Sequence, residues 1–268
     1  MTFDDGPYPY TSQLIDTLNA AGVKATFFVA GNNGAKNDIG LTSNPYYSVV
    51  QKAFNSGHQI ASHSWTHQDF GNISRTDRLN QMYRNEAALY DILGMIPTYM
   101  RPPYLDCTAA SGCTADMKTL GYHIISINLD TLDWQGNYTT SKSIFNVIGT
   151  VNPAVSEFIS LSHDILNQTV TDLVPYMISQ INKFGYKTAT IGECLGDPPV
   201  NWYRDLTGNA AGPGGNTTRF NITTSIPQNL SPDGTCGGTK GYICPESNRC
   251  CSQFGWWYVL ALRLKSFP

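Results

Sequence analysis

A chain of 268 residues can bury a substantial core, enough for one large domain or one domain with a small module. Charged residues make up only 14% and the formal net charge is −3, with no Lys/Arg run to suggest nucleic acid and no basic amphipathic helix to suggest a membrane surface. No apolar run, the closing VLALRL included, approaches the roughly 20 residues of a membrane-spanning helix.

The chain opens on Thr2-Phe3-Asp4-Asp5-Gly6-Pro7, two adjacent carboxylates at the end of a short strand. On a continuous strand they would face opposite ways. Asp-Gly-Pro is turn chemistry, however, so the backbone swings after the strand and both carboxylates can converge on one cation. TSQLIDTLNAAG then reads as a helix, KATFFVAG as a buried strand, NPYYSVVQKAFNSG as a helix, GHQIASHS as a strand and SRTDRLNQMYRNEAALYDILG as a helix. GYHIISINLD and EFISLSHD follow as strands, VTDLVPYMISQINKFG as a helix and GYKTATIG as a last strand. Helix ends are expected at Gly22, Gly57, Gly94 and Gly185. Alternating strand and helix predict parallel strands with helices outside, a barrel or an open α/β sheet. Asp4, Asp5, His63, Asp130, Asp133 and His163 fall near predicted strand ends, where a barrel carries its functional residues.

Composition divides the chain into a first domain over 1–200, a linker over 201–232 rich in Gly, Asn, Thr and Pro, a cysteine-rich segment over 233–257 and a tail over 258–268. Asn-x-Ser/Thr sequons at Asn72, Asn137, Asn167, Asn216, Asn221 and Asn229, together with clustered cysteines, favour an oxidising, secretory route. Because Met1 sits almost on the Asp-Asp motif, the parent protein is expected to extend further toward the amino terminus. Cys107 and Cys113 are close enough in sequence to clip the loop between them, while Cys194 stands alone in the first domain.

His63 and His67, in HSWTH, are four apart, and on a turn of helix they would share one face and grip one metal ion. With Asp5 the set becomes His2Asp, three protein ligands with a coordination position left open, which is the pattern of a catalytic zinc site. His58 and His123 fall in no motif and are read as satisfied core histidines.

Three further stretches complete an order: RPPY at Arg101–Tyr104, DTLDW at Asp130–Trp134 and LSHD at Leu161–Asp164. With TFDDGP and HSWTH, these five resemble the polysaccharide deacetylase (NodB-homology) family, carbohydrate esterase family 4, over the first two hundred residues, and GECLGDPPVNWYR looks like the fungal chitin deacetylases within it. The resemblance implies an α/β fold, a distorted (β/α) barrel, and a zinc-dependent hydrolase, with Co2+ or another divalent ion as a substitute. It implies that Asp5, His63 and His67 hold the metal, that Asp4 is the general base and Arg101 its partner, and that His163 is the general acid, oriented by Asp133. Trp134 and Leu161 would wall a pocket for the acetyl methyl group, and the Tyr104 N–H would help hold the oxyanion. The family commonly has Gly after RPPY; Leu105 stands here and restricts the loop. In fungal relatives the counterpart of Cys194 pairs with a cysteine preceding the first motif.

TCGGTKGYICPESNRCCSQFGWW resembles a hevein-like chitin-binding module, with Ser252, Phe254 and Trp256 at its sugar-binding positions. Only the first four cysteines of eight are present, Cys236, Cys244, Cys250 and Cys251, and Trp257 stands where the fifth would be. Family pairing would join Cys236 to Cys251 and leave a largely unfolded fragment, and YVLALRLKSFP, which does not continue the pattern, reads as a misread coding end. The expected substrate is chitin or its oligomers, acted on by a secreted or cell-wall monomer with no nucleic-acid partner and no membrane span. Rival readings are an acetylxylan or other polysaccharide O-deacetylase and a non-catalytic chitin-binding protein.

Overall fold

The computed structural model describes residues 1–212, 249–251 and 257–259. Eleven short strands are present among them: β1 (Thr2–Asp4), β2 (Thr26–Val29), β3 (Gln59–Ser62), β4 (Ile96–Pro97), β5 (Tyr99–Met100), β6 (His123–Ile124), β7 (Leu129–Asp130), β8 (Ser160–His163), β9 (Tyr203–Arg204), β10 (Arg249–Cys251) and β11 (Trp257–Val259). The helices are α1 (Thr11–Ala20), α2 (Pro45–Asn55), α3 (Arg75–Leu93), α4 (Cys113–Thr119), α5 (Tyr138–Phe145), α6 (Val174–Phe184) and α7 (Ile191–Cys194). Seven strands form one parallel sheet in the order β6-β5-β3-β2-β1-β8-β7. Two small antiparallel ribbons stand apart, β4 with β9 and β10 with β11.

The sheet has to curl. Laid flat, seven strands would separate their edges by about 29 Å. Yet the edge strands β6 and β7 are consecutive, joined by Ile125–Asn128, which spans at most about 18 Å. The result is a distorted barrel, as the motif order implied. The central strands are buried on both faces, Phe3, Phe27, Phe28, Ile60 and Ala61 among them, and α1, α2 and α3 cover one side with Leu14, Leu18, Val50, Leu89 and Ile92. This explains why those strands read as continuous apolar runs, the signature of parallel strands under helices.

Helix ends follow local chemistry. Asn44 and Ser74 cap α2 and α3 through their side chains, and Gly94 and Gly185 terminate α3 and α6 in the left-handed conformation.

Two strand expectations need correction. GYHIISINLD is two strands, because the chain passes there from one sheet edge to the other. GYKTATIG is no strand: Thr190 and Glu193 form a reciprocal capping box that starts α7. The first amides of α7 then dock on the sheet, Ile191 N–H donating to Thr26 Oγ1 and Gly192 N–H to Gln59 Oε1, both at 2.9 Å. With Tyr203, whose hydroxyl accepts the Ile60 amide at 2.9 Å, this segment plugs the amino ends of the strands and leaves the carboxyl ends free.

Ser252, Phe254 and Trp256 lie outside the described residues, as do Cys236 and Cys244. Cys107 and Cys113 form a disulfide, and Cys194 is a free, exposed thiol.

Gly6 packs against the buried Asp164 carboxylate, and a Cβ there would fall 1.9 Å from Asp164 Oδ2. Gly6→Ala should therefore destabilise the protein by about 1–3 kcal/mol, the usual range for overpacking, as a lower urea midpoint at unchanged slope.

Candidate active site

Asp4 is the last residue of β1, in register with Phe28 on one side and His163 on the other. Its Oδ1 accepts from Arg101 Nη1 at 2.7 Å, and neither side chain is more than 4% exposed. Arg101 crosses the barrel interior. The same Nη1 reaches Thr2 Oγ1 at 2.7 Å, the guanidinium lies 4.1 Å over the Phe28 ring, and Nε and Nη2 point at the carbonyls of Ile125 and Ser126, 3.4 Å away. Those two carbonyls belong to the segment joining the sheet edges, so Arg101 holds Asp4 and braces the closure together.

The next residue, Asp5, takes φ +76°, a left-handed conformation that turns its carboxylate away from the course of the strand. HSWTH, expected as a turn of helix, is instead a bent loop with φ +69° at Ser64 and +57° at His67. Neighbours hold that bend. Gln81 on α3 accepts the amides of Trp65 and Thr66 at 3.1 and 2.7 Å, and Gly31 and Asn32 amides bind the carbonyls of Ser64 and Trp65 at 3.2 and 2.7 Å. The histidines converge all the same: His63 Nε2 and His67 Nε2 lie 3.4 and 3.2 Å from Asp5 Oδ1.

This triad fits a divalent ion. Tetrahedral zinc with ligands at about 2.1 Å separates neighbouring donor atoms by about 3.4 Å, close to both spacings. Asp5 Oδ1 is buried with no hydrogen-bond partner in the protein, and the three ligand atoms lie within 4.8 Å of one another. His63 Nδ1 lies 2.7 Å from the Arg101 carbonyl, which can only accept, so Nδ1 carries the proton and Nε2 is left as a lone pair. Burial pushes the His67 pKa below the ordinary value despite Asp5, a direction that favours the neutral ring a metal would need. Burial acts to raise the Asp5 pKa, but the imidazoles of His63, His67 and His163 together hold it well below the usual carboxylate range.

Across β1 from the triad, His163 Nδ1 donates to Asp133 Oδ1 at 2.8 Å. The other Asp133 oxygen accepts the His163 amide and the Thr169 hydroxyl, both at 2.7 Å, so this fully buried carboxylate has no freedom to rotate. Burial lowers the His163 pKa, but the Asp133 hydrogen bond and charge, with Asp4 and Asp5, outweigh it and raise it to about 9.

Tyr104 sits at φ +57° and is 68% exposed, its ring edge-on to His67 at 4.7 Å. Around it the Leu105 and Asp106 amides fold back on the Pro102 and Pro103 carbonyls, and the Tyr104 amide takes no part in that turn. Leu161 shares with His163 one face of β8 and is buried, whereas Trp134 is 58% exposed beside Asp133. Of the two aspartates in DTLDW, Asp130 caps its own turn by accepting the Leu132 amide at 2.8 Å. His58 is a core histidine satisfied only in part: Nδ1 accepts the Ala25 amide at 3.2 Å, while the buried Nε2 has no partner among the described residues. His123 is not a core histidine; it lies exposed on edge strand β6 against the Tyr99 ring.

Sequence reasoning missed Thr169 and Gln81. In the sequence Thr169 signals only the third position of the Asn167 sequon, and Gln81 sits on a helix face where its spacing from HSWTH carries no signal.

A curled parallel sheet that gathers an Asp-His-His ligand set, a spare carboxylate and an Asp-oriented imidazole at its carboxyl end defines a metal-dependent hydrolase. The polysaccharide deacetylase family profile matches residues 1–125. A chitin deacetylase of Pestalotiopsis sp is 42% identical over 257 residues, 96% of this chain and 79% of the relative. A chitin deacetylase of Colletotrichum lindemuthianum is 44% identical over 208 residues, 76% of this chain and 82% of that one. The solved structure of the chitin deacetylase from that fungus superposes with a TM-score of 0.69, at 42% identity over 76% of this chain and 89% of the other. The chain belongs to the polysaccharide deacetylase family.

Two outcomes are expected. His63→Gln and His67→Gln should each weaken zinc binding at least about 100-fold, checked by titration against a chromophoric chelator, since two side-chain ligands alone seldom hold the ion. In the metal-free protein the His163 ring should titrate near pH 9 by NMR, and Asp133→Asn should move that titration to lower pH.

Proposed function

We propose that this protein removes N-acetyl groups from chitin, releasing acetate and leaving glucosamine units, with zinc as its metal and Asp5, His63 and His67 as the ligands. The observation that carries the reading is the convergence of this triad with the Asp4–Arg101 and Asp133–His163 pairs on the carboxyl ends of β1, β3 and β8. Identity of 42–44% to the two fungal chitin deacetylases supports the choice of substrate.

Amide hydrolysis near neutral pH needs an activated water, a stabilised oxyanion and a proton for a poor leaving group. A divalent ion in the triad supplies Lewis acidity toward water and the amide carbonyl. Asp4 is the general base. One of its oxygens is held by Arg101 and the other, Oδ2, faces the triad 3.9 Å from His63 Nε2, placed to accept a proton from the attacking water. Arg101 fixes the direction of that acceptor. His163 is the general acid: with Nδ1 committed to Asp133, Nε2 is the atom that delivers a proton to the departing amine. A pKa near 9 keeps it protonated at neutral pH, the form an acid needs. The Tyr104 amide, free of the surrounding turn, donates to the developing oxyanion, a contact of about 3 kcal/mol in comparable sites. Trp134 and Leu161 wall the pocket of the acetyl methyl group.

The exposed acceptors Asn72, Asn137 and Asn167 fit a glycosylated, secreted enzyme acting on cell-wall chitin.

Acetate release from chitin oligomers is the test, with acetylxylan as the comparison substrate. Activity should vanish with chelator and return with zinc, and acetylxylan should be the poorer substrate; absence of acetate from the zinc-replete protein would refute the reading. Asp4→Asn and His163→Ala should lower kcat by about 10²–10⁴. Thr169→Val, which removes one hydrogen bond from Asp133, should lower it about 5–10-fold with little change in KM.

A further inference from the structure

The buried cation nearest the triad that the hydrolytic steps leave without a role is Lys36. It is only 7% exposed, and its ammonium donates to two main-chain carbonyls, Asp5 O at 2.8 Å and Ala30 O at 2.9 Å. One belongs to a metal ligand in a left-handed conformation, the other to the residue following β2.

Those contacts sit in a chain of hydrogen bonds linking the two ligand-bearing loops. The Ala30 amide donates to Gly6 O at 3.0 Å, while the next two amides, Gly31 and Asn32, donate to Ser64 O and Trp65 O, inside HSWTH. The segment Ala30–Asn32 therefore grips the Asp5 loop on one side and the His63–His67 loop on the other. Lys36 doubles the grip on the Asp5 side. Its own backbone is fixed by Asn44, whose side-chain Nδ2 donates to Lys36 O at 2.8 Å and Asp38 O at 3.1 Å. A neutral aliphatic side chain of the same length would leave two buried carbonyls without donors, which structures avoid.

We propose that Lys36 is a positioning residue that holds Asp5 in register with His63 and His67, and thereby sets the affinity of the triad for its divalent ion. The inference rests on the metal-site reading above. Lys36 hydrogen-bonds the Asp5 and Ala30 carbonyls, feels the Asp5 and Asp164 carboxylates, and has no hydrogen bond to Asp4, Asp133 or His163, so its effect falls on metal binding rather than on the hydrolytic step.

The test is zinc titration of the full chain against a chromophoric chelator. Wild type should bind one equivalent. Lys36→Met should bind about 10–100-fold more weakly, the usual effect of removing a group that orients a ligand. Its circular dichroism and its KM for chitin oligomers should stay unchanged, and kcat should recover in excess zinc. Lys36→Gln, which keeps one donor, should fall between the two and serves if the Met variant does not fold. Wild-type affinity in either variant, a kcat still depressed at saturating zinc, or failure of both variants to fold overturns the proposal. A wild type that binds no zinc overturns the metal-site reading itself.

Discussion

The Asp4–Arg101 ion pair is the contact on which the remaining architecture turns. A guanidinium with no solvent exposure is costly unless its charge is matched and its donors are used, and here both conditions hold. Asp4 supplies the charge, Thr2 a second strong acceptor, and Ile125 and Ser126 the carbonyls at the seam between the sheet edges. The Arg101 carbonyl meanwhile sets the tautomer of His63. One residue thus couples the joint between the sheet edges, the orientation of the Asp4 carboxylate and the tautomer of His63. Losing either partner of such a pair leaves an uncompensated buried charge, typically about 3–5 kcal/mol.

Around that pair the backbone accepts strain. Of the seven non-glycine residues with positive φ among the described residues, six lie in the motif loops: Asp5, Ser64, His67, Tyr104, Leu105 and Leu132. Each costs of order 1 kcal/mol or more and persists only where surrounding contacts over-determine it. Gln81, Gly31 and Asn32 provide those contacts for HSWTH. The result separates neighbouring carboxylates into different tasks, Asp4 continuing the strand and Asp5 turning out of it.

Much of this was legible in the residues. Apolar runs bounded by glycine marked the central strands because those strands are buried on both faces, and the motifs put Asp5, His63 and His163 near strand ends, where the structure has them. Other features could not be read locally. GYKTATIG has strand-like composition, yet the capping box at Thr190 and Glu193 outweighs it. HSWTH has helical spacing, but the pull of Gln81 and the β2 loop gives a bent loop that brings the same imidazoles together by another path. Thr169, Gln81 and Lys36 reach the site across 36, 15 and 31 residues of sequence, and nothing in periodicity reports contacts at that range.

The Thr169 hydroxyl serves a triplet, Asn167-Gln168-Thr169, that reads as a sugar acceptor, while its oxygen steadies a buried carboxylate. Ser74 is in the same position, completing Asn72-Ile73-Ser74 while capping α3. Erasing these acceptors at the hydroxyl residue would disturb the enzyme even in a host that attaches no sugar. Only exchanges at the asparagine would isolate what a glycan at either sequon contributes.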